Sequence, residues 1–246
     1  FIMIFIETIR IINYKIPLID FHVKRLLQSL HAIGFDINFQ ELKSKLAEQI
    51  KQTFDTFNTP HLRVKVETEL MNNNLHFFIS AQPLQNDTFT LNKTGLQLTI
   101  FKEQSKSINK FANFKTTNRA IYAAAVKYAS LHKFDDALVL NENGNICDAG
   151  IYNIFMIKDN VIYTPPLSDA PVAGVLRSFL LEKVTSFPIF EKSITEQELY
   201  TADELFLTNA VRGIQWVKLL NNHQYTNTIT SLVFDALKLK VNGEMY

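Results

Sequence analysis

The first part of the chain shows two kinds of hydrophobic spacing. Phe1 to Ile12 is almost continuously apolar, which predicts a buried strand. Asp20 is predicted to cap a helix that ends at Gly34 and whose apolar face is formed by Leu26, Leu30 and Ile33. A second helix is predicted over 39–53, and strands are predicted over 61–70, 75–81 and 95–101. We therefore expect an α+β region with strands packed on a pair of helices.

The second part follows a polar stretch, Lys102 to Asn113, which is predicted to be a linker. This places an N-terminal α/β domain over 1–105 and a C-terminal domain over 112–246. Thr116 or Thr117 is predicted to cap an alanine-rich helix whose apolar face is formed by Ile121, Ala125, Tyr128 and Leu131. Strands are predicted at 137–140, 151–158, 161–163, 204–208 and 214–217, and helices at 174–183 and 230–239.

Composition narrows the class of protein. The 246 residues are 47% hydrophobic, enough for one large domain or two small ones. The net charge of +1 comes without a block of basic residues, so we expect no nucleic-acid partner. A single cysteine, Cys147, excludes an internal disulfide and fits a reducing compartment. No apolar run approaches the roughly 20 residues of a membrane helix, so we expect a cytoplasmic protein without a membrane partner.

Several common sites are absent from the sequence. The seven glycines are spread singly, so there is no Gly-rich phosphate or dinucleotide loop. There is no His-Glu-x-x-His segment and no pair of cysteines, and the six histidines are scattered, so no metal site is predicted. The serines lack a nucleophile elbow. These absences count against metal hydrolases, NAD enzymes and serine hydrolases.

Lys115 stands just ahead of the alanine-rich helix. Partial burial and the positive end of a helix dipole both disfavour an ammonium, so a lysine in this position loses its proton more easily than a surface lysine. This is what a Schiff-base lysine requires. Most lysines beside a helix start are simply solvated, so Lys115 alone does not decide the function.

Three further features of the sequence are informative when they are considered together with Lys115. Asp148 is an acid among apolar residues, where a buried carboxylate needs a cationic partner, although an Asx-turn residue is the alternative. Arg25 is either a phosphate ligand or an exposed helix arginine. Gly174 to Leu176 open a helix whose free N–H groups can bind an anion, although an ordinary turn is also possible. Together, amine, acid, arginine and helix start are typical of a pyridoxal-phosphate (PLP) site.

The sequence resembles the class IV, fold-type IV PLP enzymes, which include aminodeoxychorismate lyase and the branched-chain and D-amino-acid transaminases. Six segments match in order along nearly the whole chain: Ile6–Arg10, His22–Leu26, Lys115–Arg119, Asp148–Phe155, Gly174–Arg177 and Leu207–Ile214. One departure is chemical. The acid of the family is usually glutamate, and Asp148 is one methylene shorter.

The resemblance implies an α+β, two-domain fold-type IV enzyme with a small N-terminal α/β domain and a larger C-terminal pseudo-barrel domain. PLP is expected at the domain interface, with Lys115 of the C-terminal domain as the Schiff-base lysine. Arg25 is implied to contact the phosphate and Asp148 to face the ring. The other implied cofactor-binding residues are Gly174, Val175, Leu176, Asn209 and Ala210. A homodimer acting on a small amino substrate is also implied.

Three details favour a lyase over a transaminase. Asn118 and Arg119 resemble the lyase pattern after the lysine, and Leu176 stands where branched-chain transaminases usually carry threonine. Thr8 matches a lyase threonine proposed to pass a proton to departing pyruvate, although threonine is also a common strand residue. We therefore expect conversion of 4-amino-4-deoxychorismate to 4-aminobenzoate and pyruvate in folate biosynthesis, with Lys115 and Thr8 as catalytic residues.

Two alternatives stay open. The first is a D-amino-acid or branched-chain aminotransferase, which uses the same lysine. The second is a catalytically silent relative that acts as a binding module. Asp148 supports the second alternative, and so does the chain's start close to the first matching segment, where the family has a preceding strand pair that forms one wall of the substrate entrance.

Overall fold

The computed structural model describes residues 3–54, 56–57, 59–86 and 88–243, and the chain divides into two compact units. The first unit holds the described residues up to Phe89, the segment Phe114–Asn118 and the chain from Val241. The second unit holds Thr90–Asn113 and Arg119–Lys240. This division differs from the predicted one, because residues 90–105 lie in the second unit and the segment that carries Lys115 lies in the first.

The first unit contains a three-stranded antiparallel sheet and two helices. Its elements are β1 (Phe5–Ile11), α1 (Ile19–Ala32), α2 (Phe39–Lys51), β2 (Leu62–Met71) and β3 (Asn74–Pro83). The strand order is β1-β2-β3. These elements confirm the predictions for this region with small shifts of their ends, while Phe1 and Ile2 of the first predicted strand lie outside the described residues.

The core of the first unit lies between one face of this sheet and the two helices. Alternate residues of a strand point to the same face, and residues three or four apart share a helix face. The buried residues follow these two periods: Ile9, Ile11, Val64, Val66, Leu26, Leu30, Leu42 and Leu46. The helices are therefore held mainly by apolar burial.

Helix α1 does not begin as predicted. Its N-cap is Leu18, which makes no side-chain capping bond, and Asp20 lies inside the first turn. There the Asp20 carboxylate pairs with Lys43 of α2 at 2.6 Å. Helix α2 has the side-chain cap that α1 lacks, because Asn38 Oδ1 accepts the Glu41 N–H at 2.9 Å.

The second unit is built on a nine-stranded sheet. Its elements are β4 (Leu96–Lys106), α3 (Ala120–Leu131), β5 (Asp136–Asn141), β6 (Ile146–Ala149), β7 (Asn153–Lys158), β8 (Val161–Thr164), α4 (Val175–Lys183), β9 (Ile189–Glu191), α5 (Glu196–Leu199), β10 (Glu204–Asn209), β11 (Gly213–Leu220), β12 (His223–Gln224) and α6 (Thr228–Gly243). The strand order is β6-β5-β4-β11-β10-β7-β8-β9, and β12 pairs with β11. Because β4 and β5 run parallel, they need a crossover connection, which contains α3.

The predicted linker Lys102 to Asn113 is wrong in its first part. Residues 102–106 complete β4, where Lys106 pairs with Asn141 of β5. Residues 102–105 are exposed, so their polarity resembles that of a linker although the backbone is extended in the sheet.

Helix α3 has Arg119 as its N-cap and no side-chain capping bond, so the predicted capping by Thr116 or Thr117 is wrong. Its predicted apolar face is also displaced. The buried residues are Tyr122, Ala125 and Ala129, whereas Leu131 is 71% exposed. Alanines on the buried side keep the contact surface of the helix small, and Ala125 and Ala129 pack in one cluster with Phe101 of β4 and Val139 of β5.

Each unit combines helices with a largely antiparallel or mixed sheet, which confirms the predicted α+β class. Within the described ranges, no helix combines the length and apolarity needed to cross a membrane. The same residues contain no group of three or more His, Cys, Asp or Glu side chains that could hold a metal ion.

Candidate active site

Lys115 is positioned by backbone pairing in the first unit. The segment Phe114–Asn118 runs beside β1, where the Ile6 N–H donates to the Lys115 carbonyl at 2.8 Å. The Thr117 N–H donates to the Ile4 carbonyl at 3.1 Å. The backbone of Lys115 is therefore fixed by a strand, and not by the cap of the following helix.

The Lys115 side chain lies against Thr8. Its Nζ donates a hydrogen bond to Thr8 Oγ1 at 3.1 Å, and both residues are half-buried. Side chains alternate across a strand, so Thr8 leaves β1 on the face opposite to Glu7 and Ile9. The structure thus brings together the amine and the hydroxyl predicted to be catalytic, and their roles stay a prediction.

The other face of β1 carries a buried carboxylate, Glu7. Arg25 of α1 donates to both of its oxygens, from Nε to Oε1 at 2.8 Å and from Nη2 to Oε2 at 2.5 Å. His22 Nδ1 lies 2.5 Å from Oε2. His22 and Arg25 are three residues apart and share one helix face, and the planar guanidinium matches the carboxylate in a bidentate pair.

The charges of this cluster decide its protonation. Burial by itself raises the pKa of Glu7, but the Arg25 charge and the His22 hydrogen bond outweigh burial and lower the pKa to about 2. Burial lowers the pKa of His22 despite its bond to Glu7, and the charges of Arg25 and Lys115 add to that lowering. A neutral His22 that donates from Nδ1 to an ionised Glu7 accounts for both shifts.

Arg25 was predicted to hold a phosphate. In the structure its guanidinium is oriented by Glu7, a residue of the first matching segment to which the sequence assigned no role. The phosphate role of Arg25 therefore stays a prediction, and Glu7 is an added residue that fixes where this arginine lies.

Asp148 of β6 is 2% exposed and receives hydrogen bonds from several parts of the second unit. Asn153 Nδ2 donates to Oδ1 at 2.8 Å, while the Tyr122 hydroxyl and the Val172 N–H donate to Oδ2 at 2.7 and 2.8 Å. The Lys106 ammonium lies 3.5 Å from Oδ2. A buried carboxylate with such distant partners is not an Asx-turn residue, and its cationic partner is Lys106.

Neither Lys106 nor Tyr122 was predicted as a site residue. Lys106 lies in the stretch predicted to be a linker, and Tyr122 falls outside the predicted apolar face of α3. Burial raises the pKa of Asp148, and the Lys106 charge and the Tyr122 hydrogen bond oppose that shift. Burial and the Asp148 charge raise the pKa of Tyr122 well above its usual value, so its hydroxyl stays protonated and donates.

The start of α4 lies beside Asn153, a partner of Asp148. Gly174 is the N-cap, and a Cβ placed on it would lie 1.7 Å from Asn153 Oδ1, so the backbone approaches this side chain as only glycine allows. The first helical residues are Val175 and Leu176, whose N–H groups have no partner inside the helix. Such a helix start can bind an anion.

Asn209 ends β10, and its side chain bonds to the residues that follow. Oδ1 accepts the N–H groups of Val211 and Arg212 at 3.0 and 2.7 Å, which holds a turn around Ala210. Because β10 pairs with β7, this turn follows a strand beside the one that begins with Asn153. The cofactor-binding roles of Asn209 and Ala210 stay predictions.

A match to a known family covers most of the chain. Residues 5–220 match the model of the family described as amino-transferase class IV. The chain belongs to the class IV aminotransferase family. Members of this family are PLP-dependent enzymes, which confirms the family resemblance, the cofactor and the prediction of a PLP-dependent enzyme, either a lyase or an aminotransferase.

Two relatives of this class IV chain are named as aminotransferases. A Thermotoga maritima protein named as a branched-chain-amino-acid aminotransferase is 32% identical over 92 residues, which cover 37% of this chain and 34% of that protein. The D-alanine aminotransferase of Bacillus licheniformis is 26% identical over 221 residues, which cover 85% of this chain and 75% of that protein. The chain thus spans only about a third of the Thermotoga relative.

Solved structures show the same fold. A Legionella pneumophila protein assigned as a 4-amino-4-deoxychorismate lyase has a TM-score of 0.84 at 22% identity, over 96% of this chain and 91% of that chain. The branched-chain aminotransferase of the archaeon Thermoproteus uzoniensis, solved with norvaline, has a TM-score of 0.81 at 22% identity, over 98% and 86%. Another branched-chain amino acid aminotransferase, complexed with N-(5'-phosphopyridoxyl)-L-glutamate, has a TM-score of 0.81 at 20% identity, over 98% and 86%. These likenesses confirm the predicted fold-type IV architecture.

The residues of this class IV chain suit PLP chemically. The cofactor presents an aldehyde, a phosphate and a ring nitrogen. The chain offers a half-buried amine at Lys115, a buried acid at Asp148, and a helix start at Gly174, where a Cβ would not fit. This donor set matches the three groups of the cofactor.

Proposed function

We propose that this protein is a PLP-dependent lyase that converts 4-amino-4-deoxychorismate to 4-aminobenzoate and pyruvate. The observation that carries the proposal is the 3.1 Å hydrogen bond from Lys115 Nζ to Thr8 Oγ1. An amine and a hydroxyl in contact can pass a proton between them. A lyase has a specific use for the hydroxyl beside the amine, because the departing methylene carbon must gain a proton to give pyruvate.

Each predicted binding residue has a part of the cofactor to hold. Lys115 would hold the aldehyde carbon and Asp148 would pair with the ring nitrogen, while Arg25 would contact the phosphate. The remaining residues would line the phosphate and ring: Gly174, Val175, Leu176, Asn209 and Ala210. When bound, PLP supplies an aldehyde for an amine and a ring that withdraws electrons from the substrate.

The overall reaction balances without water or an oxidant. Aminodeoxychorismate loses a proton from its ring, the bond to the enolpyruvyl oxygen breaks, and the departing methylene carbon gains a proton to give pyruvate. In our proposal the Lys115 amine takes the ring proton, and the Thr8 hydroxyl passes a proton to the departing group. Aromatisation of the remaining ring favours the products.

A branched-chain or D-amino-acid aminotransferase is the second candidate, favoured by the names of the Thermotoga and Bacillus relatives. An aminotransferase also uses the lysine amine, but it has no departing pyruvate that needs a proton from Thr8. The Thr8 hydroxyl therefore separates the two candidates.

The test gives purified, PLP-loaded protein either 4-amino-4-deoxychorismate, or D-alanine or L-leucine with a keto-acid acceptor. We expect equal amounts of 4-aminobenzoate and pyruvate, and a yellow colour that borohydride bleaches. Thr8→Val should lower kcat about 100-fold or more with the visible band kept, and Thr8→Ser should restore most of it. Keto-acid transfer without 4-aminobenzoate would select the aminotransferase, and full turnover by Lys115→Ala would exclude both.

We also propose that the enzyme acts in the cytoplasm as a homodimer. A buried, free Cys147 suits a reducing compartment, and the resemblance to the family supports the dimer. Light scattering should give twice the chain mass of 28.3 kDa, and a mass of one chain would contradict the dimer.

A further inference from the structure

Lys106 and Tyr122 form a chain of hydrogen bonds that ends on Asp148. Lys106 reaches inward from β4, its side chain is 11% exposed, and its Nζ donates to the Tyr122 hydroxyl oxygen. The Tyr122 hydroxyl in turn donates to Asp148 Oδ2 at 2.7 Å. Lys106 Nζ also lies 3.5 Å from the same oxygen. A cation is therefore held against one oxygen of this buried acid, both directly and through a phenol.

The two carboxylate oxygens of Asp148 have different hydrogen-bond partners. Among the described residues, Oδ2 receives Tyr122 and the Val172 N–H and lies near Lys106, whereas Oδ1 receives Asn153. A carboxylate has about four lone-pair positions, two on each oxygen. The oxygen that keeps room for a further donor is therefore Oδ1, and the network on Oδ2 fixes the direction in which it points.

Lys106 is the nearest cation to Asp148 in the second unit. The titratable and charged groups that act on Asp148 or on its partner Tyr122 are Lys106 of β4, Tyr122 of α3, Arg119 at the cap of α3, and Cys147 of β6. Asp169 acts on the neighbouring Cys147. Burial raises the pKa of Asp148, and the charge of Lys106 opposes this shift. Without the lysine, the remaining donors to Asp148 are neutral.

We propose that Lys106 is a positioning residue that acts with Tyr122 to keep Asp148 ionised and to leave Oδ1 for the ring nitrogen of the cofactor. This inference rests on the proposed role of Asp148 at that nitrogen. A positive charge on the far side of the acid favours carboxylate over carboxylic acid, so a shared proton rests on the ring nitrogen. The network also aims an acid that is one methylene shorter than the usual glutamate.

The test follows the Asp148 carboxyl carbon by NMR in the full chain, with and without PLP, as pH is varied. Asp148→Asn identifies the signal by its loss. Lys106→Met should raise the titration midpoint by about one to two pH units, because an adjacent opposite charge lowers a carboxyl pKa by that order. Tyr122→Phe should raise the Asp148 midpoint by a smaller amount. Lys106→Arg should keep the midpoint at its wild-type value.

Lys102→Met is the matched control on the same strand. Lys102 pairs with Glu196 at the surface, so removing its charge should leave the Asp148 midpoint unchanged. In parallel, Lys106→Met should weaken PLP binding about tenfold, which corresponds to one unit of pKa. If Lys106→Met does not fold, Lys106→Gln serves the same comparison.

Two results would overturn the inference, and they differ in what else they overturn. A Lys106→Met midpoint equal to that of Lys102→Met, with a normal visible PLP band, removes only the role of Lys106. A wild-type chain that gains no visible band with PLP removes the proposed function and this inference together. A raised midpoint that Lys106→Arg restores, together with weaker PLP binding, supports the inference.

Discussion

Two buried carboxylates, Glu7 in the first unit and Asp148 in the second, have opposite pKa shifts. Both are 2% exposed, and both have a cationic nitrogen within 3.5 Å. The pKa of Glu7 is nevertheless lowered to about 2 despite its burial, whereas burial raises the pKa of Asp148. Burial alone therefore does not decide the charge of an acid in this protein.

The contacts explain the difference. Arg25 bonds to both oxygens of Glu7, at 2.8 and 2.5 Å, so that a full positive charge faces the whole carboxylate. Lys106 lies 3.5 Å from one oxygen of Asp148 and donates to Tyr122 as well. Charge-assisted bidentate bonds are about twice as strong as neutral ones, so the neutral donors of Asp148 offset burial only in part.

Glu7 therefore carries a fixed, structural charge, whereas the charge of Asp148 can be changed by its surroundings. Glu7 is ionised at neutral pH, because its pKa is lowered to about 2, and it orients Arg25. Burial raises the pKa of Asp148, and Lys106 opposes this shift together with neutral hydrogen-bond donors, so a further charged group on Oδ1 can change the protonation of this acid. In our proposal Lys106 favours the ionised form of Asp148, which is the form that can pair with a protonated ring nitrogen.

Glu7→Gln should have the largest effect, because it removes the carboxylate that compensates the buried Arg25. Breaking a buried pair by removing one partner costs about 3–5 kcal/mol, and we expect a loss of that size in the free energy of unfolding measured with urea. Glu67→Gln is the control, since the half-exposed pair of Glu67 with Lys65 at 2.8 Å should contribute about 0–1 kcal/mol. Equal losses in the two variants would contradict the comparison.

Lowering the pH should remove most of the stability that ionised Glu7 contributes to the fold. The pKa of Glu7 falls from 4.5 to about 2 on folding, so its ionised form stabilises the fold above pH 4.5 and the contribution is lost as pH falls from there toward 2. The loss amounts to about 3 kcal/mol. The difference in unfolding free energy between wild type and Glu7→Gln should therefore narrow between these pH values. A constant difference would show that the charge of Glu7 is not the cause.

Gly174→Ala should destabilise the surroundings of Asp148. The added Cβ would lie 1.7 Å from Asn153 Oδ1, and Asn153 donates a hydrogen bond to Asp148. Overpacking of this kind costs about 1–3 kcal/mol, and the affinity for PLP should fall as well. Adding Asn153→Ala should relieve the clash, so that the double variant loses less unfolding free energy than the two single losses combined. If the losses of the two single variants simply add in the double variant, the clash with the new Cβ is relieved by movement of other residues.

Tyr122→Phe should have the smallest effect on stability. It removes one hydrogen bond to Asp148, whose carboxylate keeps Asn153 and Val172 as donors, so we expect a loss of about 1.5 kcal/mol, the low end of the range for a charged acceptor. Tyr128→Phe, at a half-buried position on the same helix, should cost less in the same urea measurement. If the two phenylalanine variants unfold alike, the Tyr122 hydroxyl does not support Asp148.

The elements that sequence predicted well are those whose signal is local. The apolar spacing of α1 and α2 and the alternation in β2 and β3 place these elements within a few residues of their bounds, because periodicity depends only on neighbouring positions. The helix start at Gly174 was also predicted correctly from local sequence. The six matching segments led to the family for the same reason.

Predictions that depended on packing were less successful. The polarity of residues 102–105 predicted a linker, but these residues complete β4, and the partly buried Lys106 that follows them contacts Tyr122, 16 positions later. On α3 the buried residues are Tyr122, Ala125 and Ala129, because the sheet that packs against the helix determines which side is buried. The spacing of these three residues is the one signal by which Tyr122 could have been found.

The sequence by itself determined the family, the cofactor and the identity of the residues that suit it. Only the tertiary structure decided which of these residues touch and how they are charged. Lys115 and Thr8 are 107 positions apart, and Arg25 meets Glu7 across 18 positions. Such pairings, and the pKa shifts that follow from them, depend on distances and burial that arise only when strands and helices pack.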